Sequence, residues 1–251
     1  MSPVDDFYST LACDYDSMTR FRERLPSEEA MLRRWRERYG FDSALDAGCG
    51  TGLHALVLAR MGVRTTGVDP AGTMLEEARR HANEEGVDVR LVEADFSGLC
   101  TRLSDRFRAV LVLGNSLPHV LKQDELSASL RGLAGVMESS GILVVQLLNY
   151  ERILAGRERI VGVNRARDKY FVRFYDFLEE LVRFNVLVIT DEEGRIGHRL
   201  TSTLLRPYRL AELVPAFDAS GLLIAETFGD MNFSSFEPAS SPNLVVVARQ
   251  K

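Results

Sequence analysis

The segment Leu45-Asp46-Ala47-Gly48-Cys49-Gly50-Thr51-Gly52 sets three glycines within five positions, between a short apolar run and a helical pattern. Lacking Cβ atoms, such a turn lets its backbone pass close against a ligand. The helix behind it begins with unpaired N–H groups. A strand, a glycine turn and a helix in that order form a nucleotide-type pocket at the carboxyl end of a strand. Two carboxylates stand where later strands end. Asp69 lies 19 residues beyond Gly50, where a carboxylate accepts from both ribose hydroxyls. Asp95, in Val92-Glu93-Ala94-Asp95-Phe96, is placed to accept from an adenine amino group while Phe96 packs on the ring. The dinucleotide pattern wants its third glycine at position 53, but that residue is Leu53 and the third glycine is Gly52. A nucleoside without a pyrophosphate fits this arrangement. The plainer readings are that Asp69, before Pro70, caps a helix, and that Asp95 belongs to a turn. His119 reads equally as a packed histidine and as a group facing a ligand. No Ser/His/Asp constellation and no metal-ligand spacing stands out, and Cys49 reads as a small residue filling tight space.

Strand and helix patterns alternate around these residues. Residues 27–39 read as a helix with Ser27 as N-cap, 43–46 as a buried strand, and 53–61 as a helix ended by Gly62. Strands follow at 63–68, 87–92, 109–113 and 141–147, with helices at 71–85 and 124–137. This alternation predicts an α/β fold, a parallel sheet with helices on both faces. From 158 to 206 apolar and polar residues alternate, and 191–194 reads as a turn, so an antiparallel hairpin or small sheet is inserted there. Within it, period-2 alternation sets Tyr170, Val172, Phe174 and Asp176 on one face and Phe171, Arg173, Tyr175 and Phe177 on the other. One face packs on the domain; the other roofs a pocket or meets a second copy of the chain. A helix around 210–217 and two strands, 222–228 and 244–249, complete the pattern.

Composition narrows the partners. The 251 residues suit one large α/β domain, or a domain plus an insertion. A net charge of −5 argues against a general nucleic-acid binder. No run approaches a membrane span, and Met1-Ser2-Pro3-Val4-Asp5-Asp6 does not read as a secretory signal. Cys13, Cys49 and Cys100 form neither a zinc pattern nor a disulfide framework, which predicts a reducing, cytoplasmic setting.

Taken in order, Leu45–Gly52, Gly67-Val68-Asp69-Pro70 with Met74, Ala94-Asp95-Phe96 and Leu113-Gly114-Asn115-Ser116-Leu117-Pro118-His119-Val120 resemble the class I S-adenosylmethionine-dependent methyltransferases. The resemblance implies a Rossmann-like, doubly wound, mostly parallel sheet of seven strands, the seventh antiparallel, with the β insertion after the fifth. It implies S-adenosylmethionine as cofactor and S-adenosylhomocysteine as product. It assigns the cofactor to Tyr15, Asp46, Gly48, Gly50, Gly52, Asp69, Pro70, Met74, Asp95, Phe96, Leu113, Gly114, Asn115 and His119. A closer likeness, to the glycine and sarcosine N-methyltransferase branch, rests on residues 114–120 with Asn149-Tyr150-Glu151-Arg152-Ile153-Leu154 and Phe228-Gly229-Asp230. It implies a small-molecule acceptor methylated at nitrogen, or alternatively at oxygen. Catalytic roles then fall to His119 and Tyr150, and acceptor contacts to Asn149, Tyr150, Arg173 and Tyr175. Where that branch carries a carboxylate-clamping arginine, this chain has Leu148. Residues 1–40 would form a helical lid, 41–156 with 207–251 the cofactor domain, and 157–206 a substrate or interface subdomain. A nicotinamide-dependent oxidoreductase is disfavoured by Leu53 and by the lack of a second mononucleotide half. A non-catalytic cofactor binder is disfavoured by the retained glycines, Asp69 and residues 115–119.

Overall fold

The structure is a computed structural model describing residues 3–192 and 195–251. Two helices lead, α1 (Pro3–Thr19) and α2 (Phe21–Tyr39). The alternating core follows as β1 (Ser43–Ala47), α3 (Leu53–Arg60), β2 (Arg64–Asp69), α4 (Gly72–Glu85), β3 (Arg90–Glu93), α5 (Leu99–Arg102), β4 (Phe107–Val112), α6 (Gln123–Gly135) and β5 (Met137–Leu148). A short helix α7 (Tyr150–Gly156) leads into four strands, β6 (Ile160–Ala166), β7 (Lys169–Phe177), β8 (Val182–Glu192) and β9 (Arg195–Leu205). The chain ends with α8 (Leu210–Ala219), β10 (Leu222–Phe228) and β11 (Asn243–Gln250).

Seven strands form one sheet in the order β10-β11-β5-β4-β1-β2-β3. Only β11 runs against its neighbours, pairing antiparallel with both β5 and β10. β1 is the hinge of this order: β2 lies on one side of it and β4 on the other. At such a reversal the flanking connections leave to opposite faces, opening a crevice beyond the carboxyl ends of the strands. All five β1 residues are buried, so its position is fixed by apolar packing from both sides. On one face Leu126, Leu130 and Leu133 of α6 pack with Leu213 and Phe217 of α8. On the other, Leu32 and Trp35 of α2 meet Leu56 and Val57 of α3. Burying side chains of this size contributes about 1.5–3 kcal/mol each before entropy is counted.

Several boundaries move for identifiable reasons. The helix expected over 27–39 begins at Phe21, and Ser27 is interior, its Oγ donating to the Arg24 carbonyl at 2.8 Å. Phe21 is buried and stacks on His81 with ring centroids 4.0 Å apart. That tertiary contact outweighs the local cost of Pro26 within the helix. Met137, read as the end of a helix, instead starts β5 and pairs with Phe107.

The insertion is a four-stranded antiparallel sheet, β6-β7-β8-β9. Of the turn expected at 191–194, residues 193 and 194 lie outside the described residues; Glu192 pairs with Arg195 across it. The inner face buries Phe171, Val186 and Val188 against Phe7, Leu11 and Met18 of α1. Asp14, buried on α1, accepts from Lys169 Nζ at 2.7 Å and from Arg199 at 2.6 Å. α1 is thereby tied to the insertion. On its other side Asp16 meets His81 Nε2 at 2.8 Å. Asp16, Glu77 and His81 offer ligand atoms within 4.8 Å of one another, but Arg80 sits among them, 2.6 Å from Glu77, so the cluster is an ion-pair network. Among the described residues no helix is long and apolar enough to cross a membrane.

Candidate active site

The carboxyl ends of β1, β2 and β4 open into one cavity of about 620 Å³, covered by α1. That volume falls within the roughly 300–1,000 Å³ typical of small-molecule sites. Gly48, Gly50, Asp69, Pro70 and Tyr15 line it, as do Asp95, Phe96, Leu113, Gly114 and His119.

The glycine turn is built for close approach. Gly48 and Gly50 have φ of 78° and 55°, a region that costs a side-chain-bearing residue about 1–2 kcal/mol. A Cβ on Gly48 would stand 2.9 Å from Ser116 Oγ, whereas one on Gly50 would meet nothing nearer than the Tyr15 ring at 3.9 Å. The Gly50 N–H donates to one oxygen of Asp69 and the Ala71 N–H to the other, each at 2.9 Å. The carboxylate is thus both a helix cap and the strut that orients the turn. Each carboxylate oxygen accepts more than one hydrogen bond, so these bonds leave Asp69 able to receive ribose hydroxyls. Asp95 takes the part of a turn residue. Its Oδ1 accepts from Ser97 Oγ at 2.8 Å and from the Gly98 N–H at 2.7 Å, and the residue stays exposed at the cavity rim.

His119 lies on the short 3-10 turn after β4. Its Nε2 is 2.8 Å from the Tyr8 hydroxyl, while Nδ1 is buried without a partner. Burial pulls its pKa down to about 4, so the ring is neutral at physiological pH. An orphaned polar atom on a cavity wall is a vacancy for a ligand hydrogen bond. The glycine cradle, the two carboxylates, the Phe96 ring and this nitrogen together suit a nucleoside-bearing cofactor.

Other expected contacts lie behind the wall. Asp46 is buried and accepts from the Ala55 N–H at 3.0 Å, securing the first turn of α3 rather than facing the cavity. Gly52 leaves room for Ala78, whose Cβ would be 2.9 Å from an added one, so it serves the α3–α4 contact. Met74 is fully buried with Ala12 and Ala71, beneath Tyr8 and Tyr15. Asn115, at φ 65°, accepts from the Leu148 N–H and donates to the Tyr150 hydroxyl, each at 2.9 Å. Asn149 caps α7 and donates to the carbonyls of Pro238 and Ser241, each at 2.9 Å; its amide is consumed structurally. Tyr150 and Tyr175 are buried side by side with Arg173 nearby, outside the cofactor cavity. Tyr8, Arg24 and Ser116 join the lining unforeseen. For Tyr8 the available signal was its seven-residue spacing from Tyr15, two turns along one helix face.

Arg24 owes its place to Glu28, which accepts from it at 2.7 Å and meets His54 at 3.3 Å. Burial pushes the Glu28 carboxyl up, but His54 and Arg24 together outweigh it and hold the pKa at about 2. The folded value lies below the ordinary 4.5. The stabilisation is therefore present above pH 4.5 and is lost as pH falls toward 2, with about 2 kcal/mol gone by pH 3. Urea unfolding at pH 5 and pH 3 is expected to show the gap between wild type and Glu28→Gln narrowing at pH 3. A gap independent of pH refutes the assignment.

Residues 44–141 match the methyltransferase domain family. Over 140 residues the chain is 29% identical to the glycine/sarcosine N-methyltransferase of Aphanothece halophytica, covering 56% of this chain and 53% of that one. The chain spans about half the length of the curated relatives it matches. The fold is similar to an S-adenosylmethionine-dependent methyltransferase from Clostridium acetobutylicum (TM-score 0.81, 16% identity, 97% of this chain and 98% of that one). It is also similar to the CcbJ methyltransferase from Streptomyces caelestis (TM-score 0.75, 28% identity, 89% and 88%). Residues 44–141 are thus a methyltransferase domain, set in the class I fold of the S-adenosylmethionine-dependent methyltransferases.

Proposed function

We propose that this chain transfers a methyl group from S-adenosylmethionine to the nitrogen of a small-molecule acceptor. The observation that carries the reading is the Gly50–Asp69 hydrogen bond, which joins a side-chain-free cradle to a ribose-type carboxylate in one cavity. S-adenosylmethionine brings a sulfonium methyl that is already electrophilic. The protein's work is therefore alignment and exclusion of water, and orientation alone contributes about 7–11 kcal/mol in favourable cases. The Gly48 and Gly50 backbone and Leu113 set the cofactor's depth, Asp69 fixes its ribose, and Phe96 with Asp95 hold the base. Tyr8 and Tyr15 on α1 close the cavity against solvent, so residues 1–40 act as its lid. Residues 41–156 and 207–251 form the cofactor domain, and 157–206 supply the acceptor side.

His119 orients the acceptor. With Nε2 engaged by Tyr8, its Nδ1 is the free polar atom at the wall. A pKa of about 4 makes it a weak base at neutral pH, and a neutral amine needs no base before it attacks. His119 therefore receives or offers a hydrogen bond and does not store the proton. Tyr150 works through Asn115 and Tyr175, as a positioning residue. Nitrogen is favoured over oxygen by the glycine/sarcosine N-methyltransferase relative and by the low pKa of His119, which makes it a poor base for an alcohol. Leu148 removes that branch's clamping arginine from the end of β5.

S-adenosylhomocysteine release, measured over a panel of small amines and matched alcohols, tests the reading. Amines, glycine and sarcosine included, are expected to turn over and alcohols not. Turnover of alcohols alone would establish O-methylation instead. In the same assay His119→Asn should lower kcat/KM about tenfold, a lost neutral hydrogen bond. The acid limb should follow the acceptor's own pKa in both proteins. An inflection near pH 6.5 that vanishes in the variant would identify His119 as a titrating base.

A further inference from the structure

The inner face of β7 carries a guanidinium and a phenol, and one guanidinium nitrogen finds no acceptor. Arg173 and Tyr175 are two residues apart on one strand and so share a face, next to buried Phe171. The Arg173 guanidinium lies across Gly162, where an added Cβ would stand 2.7 Å from its Nη2. Its Nε is buried without an acceptor. Lys169 and Arg199 of this sheet share the buried Asp14, and Arg159, just before β6, has Asp176. Among the described residues, no carboxylate is paired with Arg173, whose charged neighbours are instead Arg24 and Arg20. A half-buried guanidinium among cations, with a dry Nε, is a costly arrangement unless an anion completes it.

Tyr175 packs beside the end of a directed chain of hydrogen bonds. The Leu148 N–H donates to Asn115 Oδ1, and Asn115 Nδ2 donates to the Tyr150 hydroxyl. The Tyr150 and Tyr175 side chains are buried in one cluster, and burial raises the pKa of both phenols. Tyr175 lies at the end of this chain and on the same face of β7 as Arg173. Tyr15, which faces Gly50 in the cofactor cavity, packs against the cluster that holds Phe171 of β7 and so links the two places.

We infer that Arg173 and Tyr175 form an anion clamp for the acceptor, which is therefore an amine bearing a carboxylate or a phosphate. The inference rests on the methyl-transfer reading for what the clamp serves, and on the β7 geometry for its existence. A guanidinium is suited to either oxyanion, since its planar fork meets two oxygens at once. The charge that selects the acceptor then comes from the inserted sheet, while β5 offers only Leu148 at its end.

Calorimetric titration of acetate and of inorganic phosphate, separately, tests the clamp. Both are added to the free protein and to its S-adenosylhomocysteine complex, in wild type, Arg173→Ala, Arg173→Lys and Tyr175→Phe. One of the two anions is expected to bind wild type, and the better one names the acceptor's anionic group. Arg173→Ala should weaken it about 10–100-fold, as for a lost charge-assisted hydrogen bond. Arg173→Lys should retain part of the binding, Tyr175→Phe should lose less than Arg173→Ala, and affinity for S-adenosylhomocysteine should be unchanged. In turnover, Arg173→Ala should raise KM for amino acids or aminoalkyl phosphates with kcat retained, and leave their methyl esters or parent amino alcohols unaffected. Absence of anion binding to wild type overturns the proposal, as does equal binding to Arg173→Ala, whose thermal melt reports whether it is folded. Failure of wild type to bind S-adenosylhomocysteine defeats the methyl-transfer reading instead, and the anion titration on the free protein still decides the clamp.

Discussion

Replacing Gly50 by leucine abolishes S-adenosylmethionine binding and leaves the chain folded. The three glycines of the turn are not equivalent. A Cβ at position 48 would press on Ser116 and one at position 52 on Ala78, each at 2.9 Å, so substitutions there disturb packing first. At position 50 the nearest protein atom is a Tyr15 ring carbon at 3.9 Å, and the residue lines the cavity. An added side chain enters the space the cofactor needs. The left-handed backbone at φ 55° adds strain of about 1–2 kcal/mol, small beside the roughly 5–15 kcal/mol of a typical domain. Calorimetric titration should record no binding heat, while the thermal midpoint drops by only about 2–8 °C. A variant that still binds with wild-type affinity shows that the turn is not the cradle.

Asp69→Ala gives the second large effect. The variant loses a charged acceptor for the ribose, about 1.5–3 kcal/mol or 10–150-fold in affinity. It also frees the Gly50 and Ala71 N–H groups that the carboxylate holds at 2.9 Å, so the turn loses its strut. Asp69→Asn keeps one acceptor oxygen and should fall between the two. Asp95→Ala should cost less than Asp69→Ala, because Asp95 is exposed at the rim whereas Asp69 is buried. Titration of the three variants tests this order. Equal affinities for Asp69→Ala and wild type would leave Asp69 as a helix cap only.

The parts of the site that lie on the strand-turn-helix path were legible in the sequence. Gly48, Gly50, Asp69 and Asp95 follow strand ends, and strand ends are readable from apolar runs. What the sequence hides is the side of the wall on which a residue falls. Asp46 and Asn149 carry the polar groups a binding residue needs, yet both are spent on backbone: Asp46 on Ala55, Asn149 on Pro238 and Ser241. The partners of Asn149 lie 89 and 92 residues away, beyond the reach of local pattern. Arg24 shows the converse. Glu23, Glu28 and Glu29 are interleaved with it, a pattern typical of a solvated helix face, but Glu28 turns inward with His54 and draws Arg24 to the cavity. The start of α2 was hidden for the same reason, since Phe21 extends the helix through Pro26 by packing on His81 of α4. The parallel strands were readable from pattern where they are buried along most of their length, as β1, β2 and β4 are, whereas the antiparallel last strand came from the family resemblance.

The central claim is that the cavity beyond β1, β2 and β4 holds S-adenosylmethionine. Its most direct test is calorimetric titration of the wild-type protein with S-adenosylmethionine and S-adenosylhomocysteine, with NAD as the control. The account predicts that both sulfur nucleosides bind and NAD does not. Binding of NAD in their place would contradict it and make the glycine turn the cradle of a dinucleotide.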